Sequence, residues 1–121
     1  MKKLLIITLL SISILSCKKD YLIPESEIPD WLKSQIKVSE QKIKEDPSKM
    51  PAYGAWVRFN WKNDYYFEYS NPLSSYIGGP ISFDGDTLKI SDPLLMDYSK
   101  EKCCMRYVWK GPGFKDYFSP Y

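Results

Sequence analysis

The sequence predicts a small α+β domain in which one helix packs on an antiparallel sheet of about five strands. Three observations support this fold class. A helical apolar stripe lies near the start of the domain, alternating apolar and polar residues begin at Ala55, and turn-forming residues separate the alternating runs. Because helical and extended segments occur in separate runs instead of alternating, an α+β arrangement is favoured over a parallel α/β one.

The single predicted helix covers residues 29–45. Pro29 suits the first helical turn, where a missing N–H has no cost, and Asp46-Pro47 ends the helix. The apolar positions lie four and seven residues apart, so they form one narrow stripe along the helix. This stripe consists of Leu32, Ile36 and Ile43. It is wide enough to place the helix on a sheet but too narrow for a helical bundle.

The first predicted hairpin joins residues 55–61 to residues 65–69 through a three-residue loop, Lys62-Asn63-Asp64. We chose this register because every cross-strand pair is then chemically reasonable. The expected pairs are Trp61 with Tyr65, Phe59 with Phe67, Val57 with Tyr69 and Arg58 with Glu68. In this register the helix covers the face that carries Phe59 and Phe67. The opposite, outward face then carries Trp56, Arg58, Tyr66 and Glu68.

The remainder of the domain predicts a second hairpin and a last strand. Residues 80–90 form the hairpin, with Asp84-Gly85 as a type I′ turn, and residues 101–109 form the strand. The segments between and after them are interpreted as loops and an irregular aromatic tail. These are residues 71–79, 91–99 and 111–121.

The composition excludes several classes of function. The chain contains no histidine, so a serine triad and a histidine-based zinc site are both excluded. Removal of a signal peptide with Lys2 and Lys3 leaves 15 basic and 15 acidic residues, and a neutral domain is a poor nucleic-acid ligand. All 19 aromatic residues lie after residue 17, which fits either a thin core or an aromatic binding surface.

The N-terminus has the pattern of a secretory signal. Lys2 and Lys3 precede a short apolar run over residues 4–15, which is below the roughly 20 residues that a spanning helix needs. The run ends in Ile14-Leu15-Ser16-Cys17, which resembles the lipobox of bacterial lipoproteins. The resemblance implies that a lipid is attached to Cys17 and that the chain is cut just before it.

This resemblance also divides the chain. Residues 1–16 become the signal peptide, residues 17–28 a charged tether, and residues 29–121 a single domain. Lys18-Lys19-Asp20 resembles the export signals that carry some lipoproteins to the outer face of the outer membrane. We therefore expect a protein that is lipid-anchored in the cell envelope, in the outer membrane. Exposure on the cell surface is one alternative for its orientation.

The adjacent cysteines Cys103 and Cys104 leave three alternatives: a vicinal disulfide, two reduced thiols, or bonds to another molecule. Neighbouring Cα atoms are closer than an ordinary disulfide requires, and adjacent side chains of a strand point to opposite faces. A vicinal bond would therefore bend the strand. Two adjacent cysteines cannot supply the four ligands of a zinc site, so we expect no metal there.

The other acidic residues predict no catalytic site and no cofactor. Asp84-Gly85-Asp86 superficially resembles part of a calcium loop, but Leu88 occupies the next ligand position. Glu68 is expected to be held ionised by Arg58. We found no pair of carboxylates whose spacing indicates acid–base chemistry.

The sequence therefore favours a non-catalytic lipoprotein that binds an envelope protein, as an inhibitor, an immunity-type protein or an accessory subunit. A second hypothesis is a glycan-binding module that uses Trp56 and Tyr66. A third is a redox-sensitive protein that uses the cysteine pair. For the binding hypotheses, the candidate surface consists of Trp56, Arg58, Tyr66 and Glu68.

Overall fold

The computed structural model describes residues 21–74, 78–89 and 91–115, and shows an α+β fold with an antiparallel sheet. The strands are β1 (Ala55–Trp61), β2 (Asp64–Ser70), β3 (Ile81–Ser82) and β4 (Cys103–Lys110), in the spatial order β3-β2-β1-β4. The described residues form two helices, α1 (Asp30–Glu45) and α2 (Leu94–Glu101). The described sheet has four strands, whereas about five were predicted.

Helix α1 lies on one face of the sheet and buries the stripe that its sequence predicts. Leu32 and Ile36 are fully buried, and Ile43 packs against the edge of the same cluster. The sheet contributes Trp56, Phe67 and Val108 to this core. Burial of side chains of this size supplies most of the driving force for packing a helix on a sheet.

The predicted register of the first hairpin is wrong by one residue. Lys62 and Asn63 both have positive φ angles, 49° and 63°, which makes them the two central residues of a type I′ turn. This two-residue turn pairs Trp61 with Asp64, Arg58 with Phe67 and Trp56 with Tyr69. Its twist matches the twist of the flanking strands, and this match is the reason that the shorter loop is preferred.

The second hairpin is shorter than predicted, and its turn is of a different kind. Only Gly85 in it has a positive φ, and Ser82 bonds to both Gly85 and Asp86 through the backbone. The loop therefore has three residues, with glycine in the left-handed position, in place of a type I′ turn at Asp84-Gly85. Its returning limb makes a single bridge, from Thr87 to Ile81, so no fifth strand forms among the described residues.

Most of the predicted connection over residues 91–99 is helix α2, which was not predicted; the helix extends to Glu101, so the last strand begins at Cys103 and not at residue 101. Asp92 begins this segment, and its Oδ1 accepts a hydrogen bond from the Leu94 N–H at 3.0 Å. Tyr98, on the inner side of the helix, is almost fully buried. The helix covers the face of the sheet opposite α1, where Tyr98 packs against Trp61 and Tyr66. The described fold therefore has three layers.

The boundary between tether and domain also needs correction. Residues 21–28 were assigned to the tether, but the Leu22 N–H bonds to the Val108 carbonyl at 3.0 Å, and Ile23 and Ile28 are buried in the core beneath α1. The domain therefore begins by Tyr21. The predicted signal peptide and Cys17 lie outside the described residues, as does the end of the aromatic tail, residues 116–121. Neither described helix has the length and apolar character of a membrane span.

The turn can be tested by two neighbouring glycine substitutions with opposite expected effects. Asn63→Gly should stabilise the protein by about 0.5–1 kcal/mol because it relieves a left-handed residue. Asp64→Gly should destabilise it by a similar amount, because Asp64 is a strand residue. Urea unfolding of both variants measures the difference. If both substitutions shift stability in the same direction, the two-residue turn is wrong.

Candidate functional site

An open cleft of about 320 Å³ lies between α1 and the β2–β3 side of the sheet. Its aromatic walls come from three separate segments: Trp31 from α1, Trp56 from β1 and Tyr69 from β2. Pockets for small ligands usually begin at about 300 Å³, so the cleft has room for a ligand of modest size.

Three contacts fix the aromatic rings of the cleft. The Trp31 Nε1–H donates to the Phe83 carbonyl at 2.9 Å. This bond holds the indole against the β3 loop, the segment around β3 at residues 78–88. Trp31 and Trp56 meet edge to face with centroids 5.9 Å apart, and Trp56 and Tyr69 lie 5.2 Å apart. Trp31 is half-buried and Tyr69 is 39 % exposed, so parts of both rings remain accessible.

The polar groups of the cleft come chiefly from α1. Gln35 and Ser39 follow Trp31 at intervals of four residues, so all three lie on one side of the helix. The hydrogen bonds found among the described residues leave the Gln35 amide and the Ser39 hydroxyl unused. Of the described residues that line the cleft, none is charged.

The wall formed by the β3 loop depends on a close approach of two backbone segments. A Cβ on Gly79 would clash with the Leu88 carbonyl oxygen, so a larger residue would push this wall outward. Gly78 and Thr87 line the same side. The cleft joins residues distant in the sequence, and the spacing of Trp31, Gln35 and Ser39 on α1 is the only signal that could have indicated it.

The predicted binding surface is not one surface, because its four residues lie on two faces of the sheet. Trp56 and Arg58 lie on the α1 face and are only 8 % and 7 % exposed. The Arg58 Nη1 lies 3.5 Å from the Glu27 carboxylate, and the guanidinium sits 4.1 Å from the Tyr65 ring centroid. Arg58 therefore pairs with Glu27, and the predicted pair with Glu68 is wrong.

Tyr66 and Glu68 lie on the opposite face, beneath α2. The Tyr98 hydroxyl donates to the Glu68 carboxylate at 2.7 Å, and the Lys102 Nζ lies 2.9 Å from the same oxygen. Burial, and then the Glu68 carboxylate, raise the pKa of Tyr98 far above its usual value. A tyrosine that stays protonated as a donor to Glu68 holds α2 on the sheet and is unsuited to act as a base.

Cys103 and Cys104 are joined by a vicinal disulfide at the start of β4. Both residues are exposed, and Cys104 has a positive φ of 66°. On β1, Asn60 and Arg58 are two residues apart, whereas their partners on β4, Cys103 and Arg106, are three residues apart. Strand β4 therefore contains one extra residue at this point. The cysteine pair therefore sits in a β-bulge, as the expected bend of the strand implies.

Metal ligands are not concentrated anywhere in the described part of the chain, where no group of three His, Cys, Asp or Glu residues lies together. No protein-family model, curated protein or solved structure matches this chain.

The buried ion pair gives a direct test of the Arg58 environment. Glu27→Gln should destabilise the protein by about 2 kcal/mol, because it leaves the Arg58 charge buried without a counter-charge. Arg58→Met keeps the packing of the long side chain and removes the charge, so it should cost less than about 1 kcal/mol. Urea unfolding compares the two, and an Arg58→Met variant less stable than Glu27→Gln would contradict the assignment.

Proposed function

We propose that this chain is a lipid-anchored protein of the bacterial cell envelope that binds a neutral carbohydrate in the aromatic cleft and carries out no catalysis. One observation carries the proposal: accessible aromatic rings and unused amide and hydroxyl groups line a single uncharged cleft. Sugars present apolar ring faces and many hydroxyls, so this combination of aromatic and neutral polar groups suits them.

The cleft favours a small ligand over a protein partner. A stable protein interface buries about 800 Å² on each side, whereas the cleft is near the lower limit for small-molecule pockets. The aromatic pair Trp56 and Tyr66, on which both the protein-binding and the glycan-binding hypotheses were based, is divided between two faces, so the proposed glycan site retains Trp56 and not Tyr66. Inhibitor, immunity-type or accessory roles would therefore need a surface other than the one that the sequence indicated.

The proposed anchor follows from the resemblance of the residues before Cys17 to a lipobox. In this proposal the lipid on Cys17 holds the protein at the membrane. Cys17→Ser should move the full-length protein from the membrane fraction to the soluble fraction and remove the acyl mass. A Cys17→Ser variant that stays in the membrane fraction would argue against the lipid anchor.

The binding site can be tested with two exposed glutamines of the same helix. Gln35→Leu should weaken binding of neutral oligosaccharides about tenfold, which corresponds to one or two hydrogen bonds. The matched control is Gln41→Leu, because Gln41 is exposed on α1 but does not line the cleft. Titration of the full-length protein in detergent, followed by tryptophan fluorescence, to which Trp31 and Trp56 of the cleft contribute, measures the affinity.

Three outcomes of this titration are informative. Binding of neutral sugars that Gln35→Leu weakens and Gln41→Leu preserves supports the proposal. Binding that is restricted to acidic sugars contradicts it, because the described cleft lining offers no cation. Failure of a broad panel of neutral sugars, together with capture of one envelope protein, would favour the protein-partner hypothesis.

The vicinal disulfide supports a second candidate function, in which the protein responds to redox conditions. Both cysteines are exposed, so a reductant can reach them. Cys104 has an unfavourable left-handed backbone conformation, and a reduced pair of thiols would be free to leave it. A dithiol reagent would reduce the bond to two thiols and would itself become a cyclic disulfide.

Exposure of the pair makes its reduction independent of global unfolding. A dithiol should therefore yield two alkylatable thiols in the native protein within minutes, without loss of the tryptophan fluorescence of the folded state. Mass spectrometry after alkylation counts the thiols, with Cys103→Ser/Cys104→Ser as the control. A disulfide that is reduced only in denaturant would contradict this role.

A further inference from the structure

The path of the chain into the fold limits how far the domain can stand from the membrane. The domain is already ordered at Tyr21, where the segment bonds to β4 through Leu22 and buries Ile23. Only residues 18–20 separate Tyr21 from Cys17, the proposed lipid attachment site. This step rests on the anchor included in the proposed function.

Chain geometry converts this spacing into a distance. The four steps from Cys17 to Tyr21 span at most about 14 Å when fully extended, since each residue adds about 3.6 Å. A domain of about 100 residues has a radius of gyration of about 13 Å. The tether is therefore about as long as the radius of gyration of the domain that it holds, so the side where the chain enters must lie near the lipid headgroups.

The entry side is the β4 edge of the sheet. Strand β4 is the outermost strand of the described sheet on that side, and its Val108 carbonyl receives the Leu22 N–H. Leu22 itself is 50 % exposed and stands beside the half-buried Tyr21. An exposed leucine beside a tyrosine is the combination of apolar and polar surface that suits a membrane interface.

Strand β4 also carries charge that suits an anionic bilayer. Arg106 and Lys110 are both exposed, and the strand contains no acidic residue. Neither cation has an ion-pair partner within the described residues, although the Lys110 Nζ lies 4.1 Å from the Tyr107 ring centroid. Burial, and then the charges of Glu40 on α1 and Glu25 before it, raise the pKa of Tyr21. The acidic groups near Tyr21 are therefore these two, and the cations of this edge are on β4.

We infer that the β4 edge, with Tyr21 and Leu22, is the lipid-facing surface of the domain, and that Arg106 and Lys110 contact anionic phospholipid headgroups. The cleft then lies away from the bilayer. Its β3 wall is three strand positions from β4, or about 14 Å at the usual strand spacing of about 4.8 Å. The β3 wall of the cleft and the anchor edge therefore lie at opposite edges of the sheet, and Trp56 of the cleft lies on β1 between them.

Photocrosslinking to lipid tests this orientation in the full-length lipidated protein. The protein is reconstituted in vesicles of phosphatidylethanolamine and phosphatidylglycerol, with benzoylphenylalanine in place of either Arg106 or Asp84. Both positions are exposed, and Asp84 lies in the β3 loop at the opposite edge. We expect at least fivefold more lipid adduct from position 106. Equal yields, or a larger yield from position 84, would overturn the inference.

A charge reversal isolates the contribution of the two cations. Arg106→Glu/Lys110→Glu should lower lipid crosslinking from benzoylphenylalanine at position 22 at least threefold in anionic vesicles. The matched control is Lys37→Glu/Lys44→Glu, which reverses two exposed cations of α1. It should leave the yield of lipid crosslinking from position 22 unchanged. An equal loss in both variants would overturn the specific role of β4.

The outcomes also separate this inference from the proposed function. Equal crosslinking in a protein that still binds neutral sugars would remove the orientation and leave the cleft assignment intact. Loss of sugar binding in a protein that crosslinks to lipid chiefly from position 106 would remove the cleft assignment and leave the orientation intact. If the wild-type protein carries no lipid, both the anchor and this inference fail, whereas the sugar titration remains valid.

Discussion

The turn at Lys62-Asn63 determines the side of the sheet on which each aromatic residue lies. Successive side chains of a strand point to opposite faces, so a shift of one residue in a hairpin exchanges the partners of every pair. With both turn residues in the left-handed conformation, Trp56 and Phe67 face α1, and Trp61 and Tyr66 face α2. The cleft beneath α1 and the Tyr98–Glu68 contact beneath α2 both depend on this register.

The same register explains how a domain of this size uses so many aromatic residues. Each face of the sheet is covered by one helix, and neither helix offers a wide apolar side, since α1 buries Leu32 and Ile36 and α2 buries Tyr98. Large rings on the sheet fill both thin layers. Polar contacts then complete the packing. The Glu68 carboxylate accepts a hydrogen bond from the Tyr98 hydroxyl, and the Glu27 carboxylate lies beside buried Arg58.

The sequence predicted the elements whose signals are local. The stripe on α1 with Pro29 and Asp46-Pro47 at its ends indicated a helix over 29–45, and alternation indicated β1 and β2. The register was not predictable in this way, because each cross-strand pair contributes only about 0.2–1 kcal/mol, and the type I′ turn at Lys62-Asn63 outweighs the better-matched pairs of the three-residue loop. Helix α2 has only eight residues and a narrow apolar side, and residues 21–28 have no periodicity at all. The buried residues of 21–28 are covered through contacts with β4 and α1, which leave no local pattern in the sequence.

The positions of the anchor and the cleft together restrict the source of the ligand. If the β4 edge rests on the headgroups, the β2–β3 side of the cleft faces away from the bilayer and toward the aqueous compartment. A lipid in the same leaflet would have to leave the bilayer to reach Trp31 and Gln35. A water-soluble or polymeric sugar meets no such barrier. In the proposed arrangement the short tether therefore sets the direction from which the ligand approaches, and the uncharged aromatic lining sets its proposed class, a neutral glycan.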